Sequence, residues 1–272
     1  MGRPRRSGPL TRGGRVEFGC PGGYNRPGKI IGQAAEFCGN TSRFRGIRGA
    51  ERQALKMDYA IARQHMVDSQ VRTNKVTDER LIEAIRALPR ERFVPDRARA
   101  RAYVDDDVEI APGRYLMEPM VTARLVQAAE VKPEDIALVV GSGTGYAAAL
   151  LSRLANTVVA LEADAPLAQR AGGVFSELSI DNAIVFEGPL NAGCSKHAPY
   201  NVIYLDGAVD QVPSALTGQL ADGGRMVGVQ LEQGVGRATL WIKSGNAISR
   251  RVLFDANVAL LPGFATPPRF VF

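Results

Sequence analysis

The sequence predicts a doubly wound α/β domain, and three observations lead there. The apolar run Ala137-Leu-Val-Val breaks into the closely spaced glycines Gly141, Gly143 and Gly145. Strand-like and helix-like segments alternate through 136–230, and strand-like segments with little room for helices between them follow to the end of the chain. A strand that turns through glycines into a helix presents the carboxyl edge of a parallel sheet to a nucleoside, and the alternation covers both faces of such a sheet.

The first 56 residues are unlike the rest. They hold 12 of the 34 Lys and Arg, three of the 28 acids (Glu17, Glu36 and Glu51) and 12 of the 29 glycines. This segment carries +9 and the remaining 216 residues −3, so the overall charge of +6 argues nothing about nucleic-acid binding by the folded part. Without sustained helical or strand periodicity, residues 1–56 read as a disordered basic Gly/Arg-rich extension. Two explanations stay open, a nucleic-acid arm and a start site assigned upstream of Met57, and the well-patterned helix that begins at Met57 favours the second. Cys20 and Cys38 fall in this extension, which leaves Cys194 alone in the folded part and points to a reducing cytoplasm. The chain has no apolar stretch of about 18 residues, the length of a membrane span.

From 57 to 272 the pattern predicts one domain, ample for a single core. Amphipathic helices are expected over 58–72 and 77–88; the second opens with Thr77-Asp-Glu-Arg as cap and early acids and stops at Pro89. A loop rich in Asp and Pro leads to a helix over 119–130. Strands follow at 136–140, 157–161, 183–187, 201–205 and 225–230, with helices at 145–154, 165–178 and 211–220. The segments 238–243, 248–254 and 270–272 are expected as antiparallel edge strands.

The glycine spacing discriminates among nucleoside ligands. A dinucleotide fingerprint wants a glycine at its sixth position, where this chain has Tyr146. The pattern favours a ligand without phosphate, such as S-adenosylmethionine, with Glu162 at the tip of the next strand accepting the ribose hydroxyls. Other clusters read as structure. Asp105-Asp106-Asp107 lacks the spaced partners of a metal site and reads as a solvated entrance loop. Cys194 and His197 have the types of a nucleophile and base but no third orienting group. Arg90, Arg92, Arg97, Arg99 and Arg101 read as a solvated helix face, while Trp241, Phe270 and Phe272 read as core or sheet edge.

The segment Val76-Thr-Asp-Glu-Arg-Leu-Ile-Glu-Ala-Ile-Arg-Ala-Leu-Pro-Arg-Glu-Arg-Phe-Val-Pro95 resembles the N-terminal signature of the protein-L-isoaspartate O-methyltransferases. So do Ala102-Tyr103 with the acids after it, the glycine-containing approach to Pro119, the loop from Gly141 to Tyr146, Glu162, and the closing Arg269-Phe-Val. The resemblance implies a class I (Rossmann-like) methyltransferase sheet with N-terminal helices and antiparallel C-terminal edge strands. It also implies S-adenosylmethionine as methyl donor and isoaspartyl residues of damaged proteins or peptides as acceptors; from charge, hydropathy and spacing, no nucleic-acid, membrane or metal partner is expected. The cofactor contacts it implies are Gly141, Ser142, Gly143, Gly145, Tyr146, Glu162 and Glu187.

Several positions depart from the family pattern. Met117-Glu118-Pro119 stands where Ser-Gln-Pro is usual, so a thioether replaces the hydroxyl near the reacting groups. Val139 replaces an acid before the glycine loop, and Gly188-Pro189-Leu190 replaces Gly-Asp-Gly, leaving Glu187 for the adenine edge. Asp206-Gly207-Ala208 stands where small uncharged residues are usual, so Asp206 is either a group that reaches the cofactor or substrate, a candidate catalytic group with Glu118, or an end-of-strand acid that caps the next helix. Three readings stay open: carboxyl methylation with the serine replaced functionally, a relative that binds the cofactor or a protein partner without methyl transfer, and a methyltransferase for another acceptor.

Overall fold

The computed structural model describes residues 58–266. The expectations for 1–56, Cys20, Cys38 and the closing 270–272 with Phe270 and Phe272 lie outside the described residues.

Helix α1, Tyr59–Met66, is capped by Asp58, whose carboxylate accepts from the N–H of Ala60 (3.0 Å) and Ile61 (3.3 Å). It runs on through a π-helical turn, Val67–Val71, and a 3-10 turn, Arg72–Asn74. Helix α2, Glu79–Ala87, is capped by Asp78, whose carboxylate accepts the Arg80 N–H at 2.9 Å, while Gln127 accepts the N–H groups of Thr77 (2.6 Å) and Asp78 (3.1 Å). The stretch expected as a plain loop carries 3-10 turns at Arg90–Arg92 and Asp96–Arg101 and a small hairpin, β1 (Val108–Ala111) with β2 (Arg114–Leu116). Strands this short show too few alternations to announce themselves. Helix α3, Pro119–Ala128, opens on proline, whose missing N–H costs nothing in a first turn.

The main sheet then builds as β3 (Ile136–Val140), α4 (Tyr146–Leu151), β4 (Thr157–Glu162), α5 (Ala165–Glu177), β5 (Ala183–Glu187) and β6 (Tyr200–Val209). It ends with α6 (Ser214–Gly218), β7 (Leu220–Glu232), β8 (Val235–Ser244) and β9 (Ala247–Asp255). Its order is β5-β4-β3-β6-β7-β8-β9, parallel from β5 to β7 and antiparallel at β8 and β9. The expected doubly wound sheet with antiparallel edge strands is therefore the observed one. The strand order reverses between β3 and β6, and the crevice beyond their carboxyl ends is where such sheets hold ligands.

Alternation along β3 feeds two cores. Ala137 and Val139 join Val158, Ala160 and Tyr204 under the N-terminal helices, while Leu138 and Val140 join Val159, Leu161, Leu205 and Trp241 on the other face. At the opposite end of the sheet, Asp135 is buried and pairs with Arg225 at 2.6 Å, and Arg225 also donates to the carbonyls of Ala129 (2.9 Å) and Glu130 (2.8 Å). Asp135→Ala strands that guanidinium beside two carbonyls, and we expect urea unfolding to report a loss of about 3 kcal/mol. A loss below about 1 kcal/mol would show the pair to be dispensable.

Candidate active site

The glycine turn that follows β3 is shaped by its neighbours. Gly145 has φ +94°, and a Cβ there would stand 2.7 Å from the ring of Phe175 on α5. Gly141 has φ +77°, and a Cβ would stand 2.6 Å from a methyl carbon of Leu261. The N–H groups of Gly141 and Ser142 donate to the Leu161 carbonyl, that of Gly145 to the Ser142 carbonyl, and that of Gly143 to Glu162. These four donors are thus spent inside the protein and are not free to cradle a phosphate. The Ser142 hydroxyl is buried and has no hydrogen-bond partner.

Glu162 ends β4 with no exposed surface. Its carboxylate accepts from Nη1 and Nη2 of Arg114 at 2.6 and 2.8 Å, and from the N–H of Gly143 (2.6 Å), Ala163 (2.9 Å) and Asp164 (3.0 Å). Arg114 also donates to the Gly141 carbonyl at 3.1 Å. Burial acts to lower the Arg114 pKa, but the hydrogen bond and charge of Glu162 outweigh it, so the guanidinium stays charged. Sequence reading missed Arg114. The one signal was its phase: in β2 the residues Arg114 and Leu116 point inward and Tyr115 outward, which puts a cation in an apolar position.

Arg114, Met117, Asp107, Asp206 and Leu261 line a cavity of about 10 Å³. Burial, the largest influence, pushes the Asp206 carboxyl up to about 8, with Glu162 raising it further and Arg114 opposing. Among the described residues the Asp206 side chain makes no hydrogen bond. Asp107 departs from the solvated-loop reading: it is half-buried and accepts the Glu118 N–H at 2.7 Å, whereas Asp105 and Asp106 are exposed. Burial raises the Asp107 carboxyl, and burial followed by the charges of Asp107, Asp105 and Asp106 raises that of Glu118. Met117 is buried, and its carbonyl accepts from Arg90 at 2.6 Å.

Arg90 corrects the expected solvated arginine face. It is fully buried, donates also to the Ala102 carbonyl (2.7 Å), and its guanidinium lies 4.8 Å from the centre of the Tyr146 ring. Tyr146 meets Phe93 edge-on at 5.4 Å, so its ring faces the core. The other arginines of that cluster form ion pairs: Arg92 with Glu177, Arg97 with Glu109, Arg99 with Asp96 and Arg101 with Asp106. Glu187 is exposed at the end of β5, in register with Glu162, beside a groove between α5 and β5 lined by Pro166, Gln169 and Phe186. Val139 is buried in β3, and Leu190 is buried beside the glycine turn. No side-chain hydrogen bond joins Cys194 and His197; the His197 N–H donates to the Cys194 carbonyl at 3.4 Å, and the His197 ring packs on Phe186 at 4.8 Å. Among the described residues no group of His, Cys, Asp and Glu is arranged to hold a metal ion.

A parallel sheet whose carboxyl edge carries a phosphate-free glycine turn beside a buried acid defines the class I methyltransferase type of domain. The sequence profile of the family described as protein-L-isoaspartate(D-aspartate) O-methyltransferase matches residues 61–252, and the chain belongs to that family. A protein-L-isoaspartate O-methyltransferase of Koribacter versatilis is 41% identical over 169 residues, covering 62% of this chain and 76% of that one. One from Synechococcus is 38% identical over 169 residues, 62% of this chain and 69% of the other. A solved protein-L-isoaspartate O-methyltransferase shares the fold at a TM-score of 0.66 and 24% identity, over 74% of this chain and 66% of that one. So does a Plasmodium falciparum structure in complex with S-adenosyl-L-homocysteine, at 0.63 and 19%, over 73% and 97% of the two chains.

The raised carboxyl of Asp206 has a consequence for stability. Its folded pKa, about 8, exceeds the ordinary 3.8, so the folded state binds the extra proton; this contribution is fully present below 3.8 and is lost as pH rises to about 8. In urea unfolding at a series of pH values, Asp206→Asn gains on the wild type across that window and the gap levels off above it. A gap independent of pH would place Asp206 in an ordinary, solvated environment.

Proposed function

We propose that this protein uses S-adenosylmethionine to methylate the carboxylate of isoaspartyl residues in altered proteins or peptides. The observation that carries the reading is Glu162, a fully buried carboxylate beside a phosphate-free glycine turn at the reversal point of the sheet, in a member of this family. The residues suit an adenosyl group. Glu162 accepts the ribose hydroxyls, the unpartnered Ser142 hydroxyl and the turn of Gly141, Gly143 and Gly145 border it, and Glu187 lies level with Glu162 for the adenine edge. Tyr146, its ring turned to the core, contributes backbone alone. No comparison favours a relative that binds without transfer.

When bound, the donor supplies an electrophilic methyl on a sulfonium. The chain's own residues position the acceptor carboxylate and keep water out. Met117, Asp107 and Asp206 face that side of the cavity. Met117 donates no hydrogen bond, and Asp206 takes the place of the missing hydroxyl donor. A carboxylic acid kept neutral by burial donates to a negative substrate, where an ionised one would repel it. Arg90 fixes the Met117 carbonyl and with it the turn into α3. Glu118 stays at the mouth as a half-buried acid. A lone cysteine, Cys194, after residue 56 supports a cytoplasmic protein. Among the described residues no helix is long and apolar enough to cross a membrane.

Asp206→Ala is expected to lower kcat toward an isoaspartyl peptide about 100-fold in a radiolabelled methyl assay. Wild-type kcat is expected to fall as pH rises through about 8, where the acid ionises, and Asp206→Asn, which still donates, to lose that fall. An Ala variant as active as the wild type would remove Asp206 from the chemistry, and wild-type protein with no turnover at any pH would sink the acceptor assignment.

A further inference from the structure

We infer that Arg114 competes internally for the acid that binds the ribose and, once displaced, receives the carboxylate of the acceptor. The inference deepens the reading just given and rests on it. Glu162 already accepts five hydrogen bonds, two from Arg114 and three from backbone N–H groups, while a carboxylate offers about four lone-pair sites. Two ribose hydroxyls can enter only if a donor leaves. The backbone donors belong to the glycine turn and to the start of α5, so the guanidinium is the group free to go.

Space makes the same demand. The cavity of about 10 Å³ beside Arg114 holds roughly one water molecule, far less than an adenosyl group. Arg114 stands on a three-residue strand in a two-stranded hairpin separate from the seven-stranded sheet, so it can withdraw without breaking the ladder that carries the site.

Its destination follows from charge. A guanidinium withdrawn from Glu162 stays in a pocket shared with Met117, Asp107 and Asp206. Asp107 already gives an oxygen to the Glu118 N–H, and burial holds the Asp206 carboxyl up at about 8, so neither offers the cation a free two-oxygen carboxylate partner. A carboxylate entering with the substrate supplies one, in the bidentate geometry that arginine favours. Donor binding therefore prepares acceptor binding, and by linkage the acceptor tightens the donor.

The test titrates S-adenosylhomocysteine by calorimetry into wild type, Arg114→Ala and Arg114→Gln, each checked for native circular dichroism. Wild type binds only through the minor fraction in which the pair is open, so Arg114→Ala is expected to bind about tenfold tighter or more, with the Gln variant between. In parallel, anisotropy of a labelled isoaspartyl peptide is expected to show about tenfold tighter binding to wild type when S-adenosylhomocysteine is present, and no such gain for Arg114→Ala. Folded variants that bind S-adenosylhomocysteine no tighter than wild type overturn the competition, and the Gln variant decides if the Ala variant does not fold. Peptide binding to wild type that ignores S-adenosylhomocysteine overturns the acceptor role. Wild type and variants that all fail to bind S-adenosylhomocysteine overturn the donor reading itself, an outcome distinct from the other two.

Discussion

Taking Glu162 out of water is the constraint around which the carboxyl edge of the sheet is arranged. Burying an ionised carboxylate costs several kcal/mol unless its oxygens are met by donors, and here the donors come from three separated parts of the chain. The hairpin sends Arg114, the glycine turn sends the Gly143 N–H, and the chain entering α5 sends the N–H groups of Ala163 and Asp164. Each contribution fixes a local shape. The turn must curl so that Gly143 faces the acid, and the hairpin must lie over the end of β4 although it shares no ladder with it.

Arg90 follows the same rule without an acidic partner. Guanidinium is weakly hydrated and planar, so two carbonyls and an aromatic face can hold it in the interior. This gives Tyr146 a reason that ligand-based reading could not supply. Its ring is a shelf between Phe93 and Arg90, which links the first helical residue after the glycine turn to the segment that leads into α3. The segment that carries Met117 and the helix that follows the glycine turn are therefore tied through the core by Arg90, which holds the Met117 carbonyl at one end and stacks on Tyr146 at the other.

What was legible in the sequence follows from how each element earns its burial. The parallel strands β3 and β4 are covered on both faces and so appear as continuous apolar runs, whereas β5, at the sheet edge, has no buried residue and leaves Ile184 exposed. The hairpin escaped because its strands are too short to show a period, and α6 is shorter than its expected span because Pro213 and Gly218 bracket it. Glu162 and the glycines could be found because a motif of fixed spacing defines them. Arg114, Arg90 and Asp107 could not, since a charged residue in a polar segment reads as solvated until the fold shows what covers it. Depth is a property of packing between distant segments, and one sequence carries little of it.

The glycines illustrate how one motif serves different demands. In a phosphate-binding turn they let backbone N–H groups approach an anion, but here those N–H groups are consumed internally and the missing side chains make room for neighbours. Phe175 fills the space at Gly145, and Leu261 fills that at Gly141 and Gly207, at the point where the strand order reverses. Leu261 is held there by a bond from its N–H to the Ala208 carbonyl at 2.8 Å, which lays the segment after β9 along the end of β6. The crevice that doubly wound sheets offer to ligands is thus packed by the protein's own side chains. Ligand entry is an exchange of that packing for new contacts, so the affinity of this site is set as much by what must leave as by what the ligand touches.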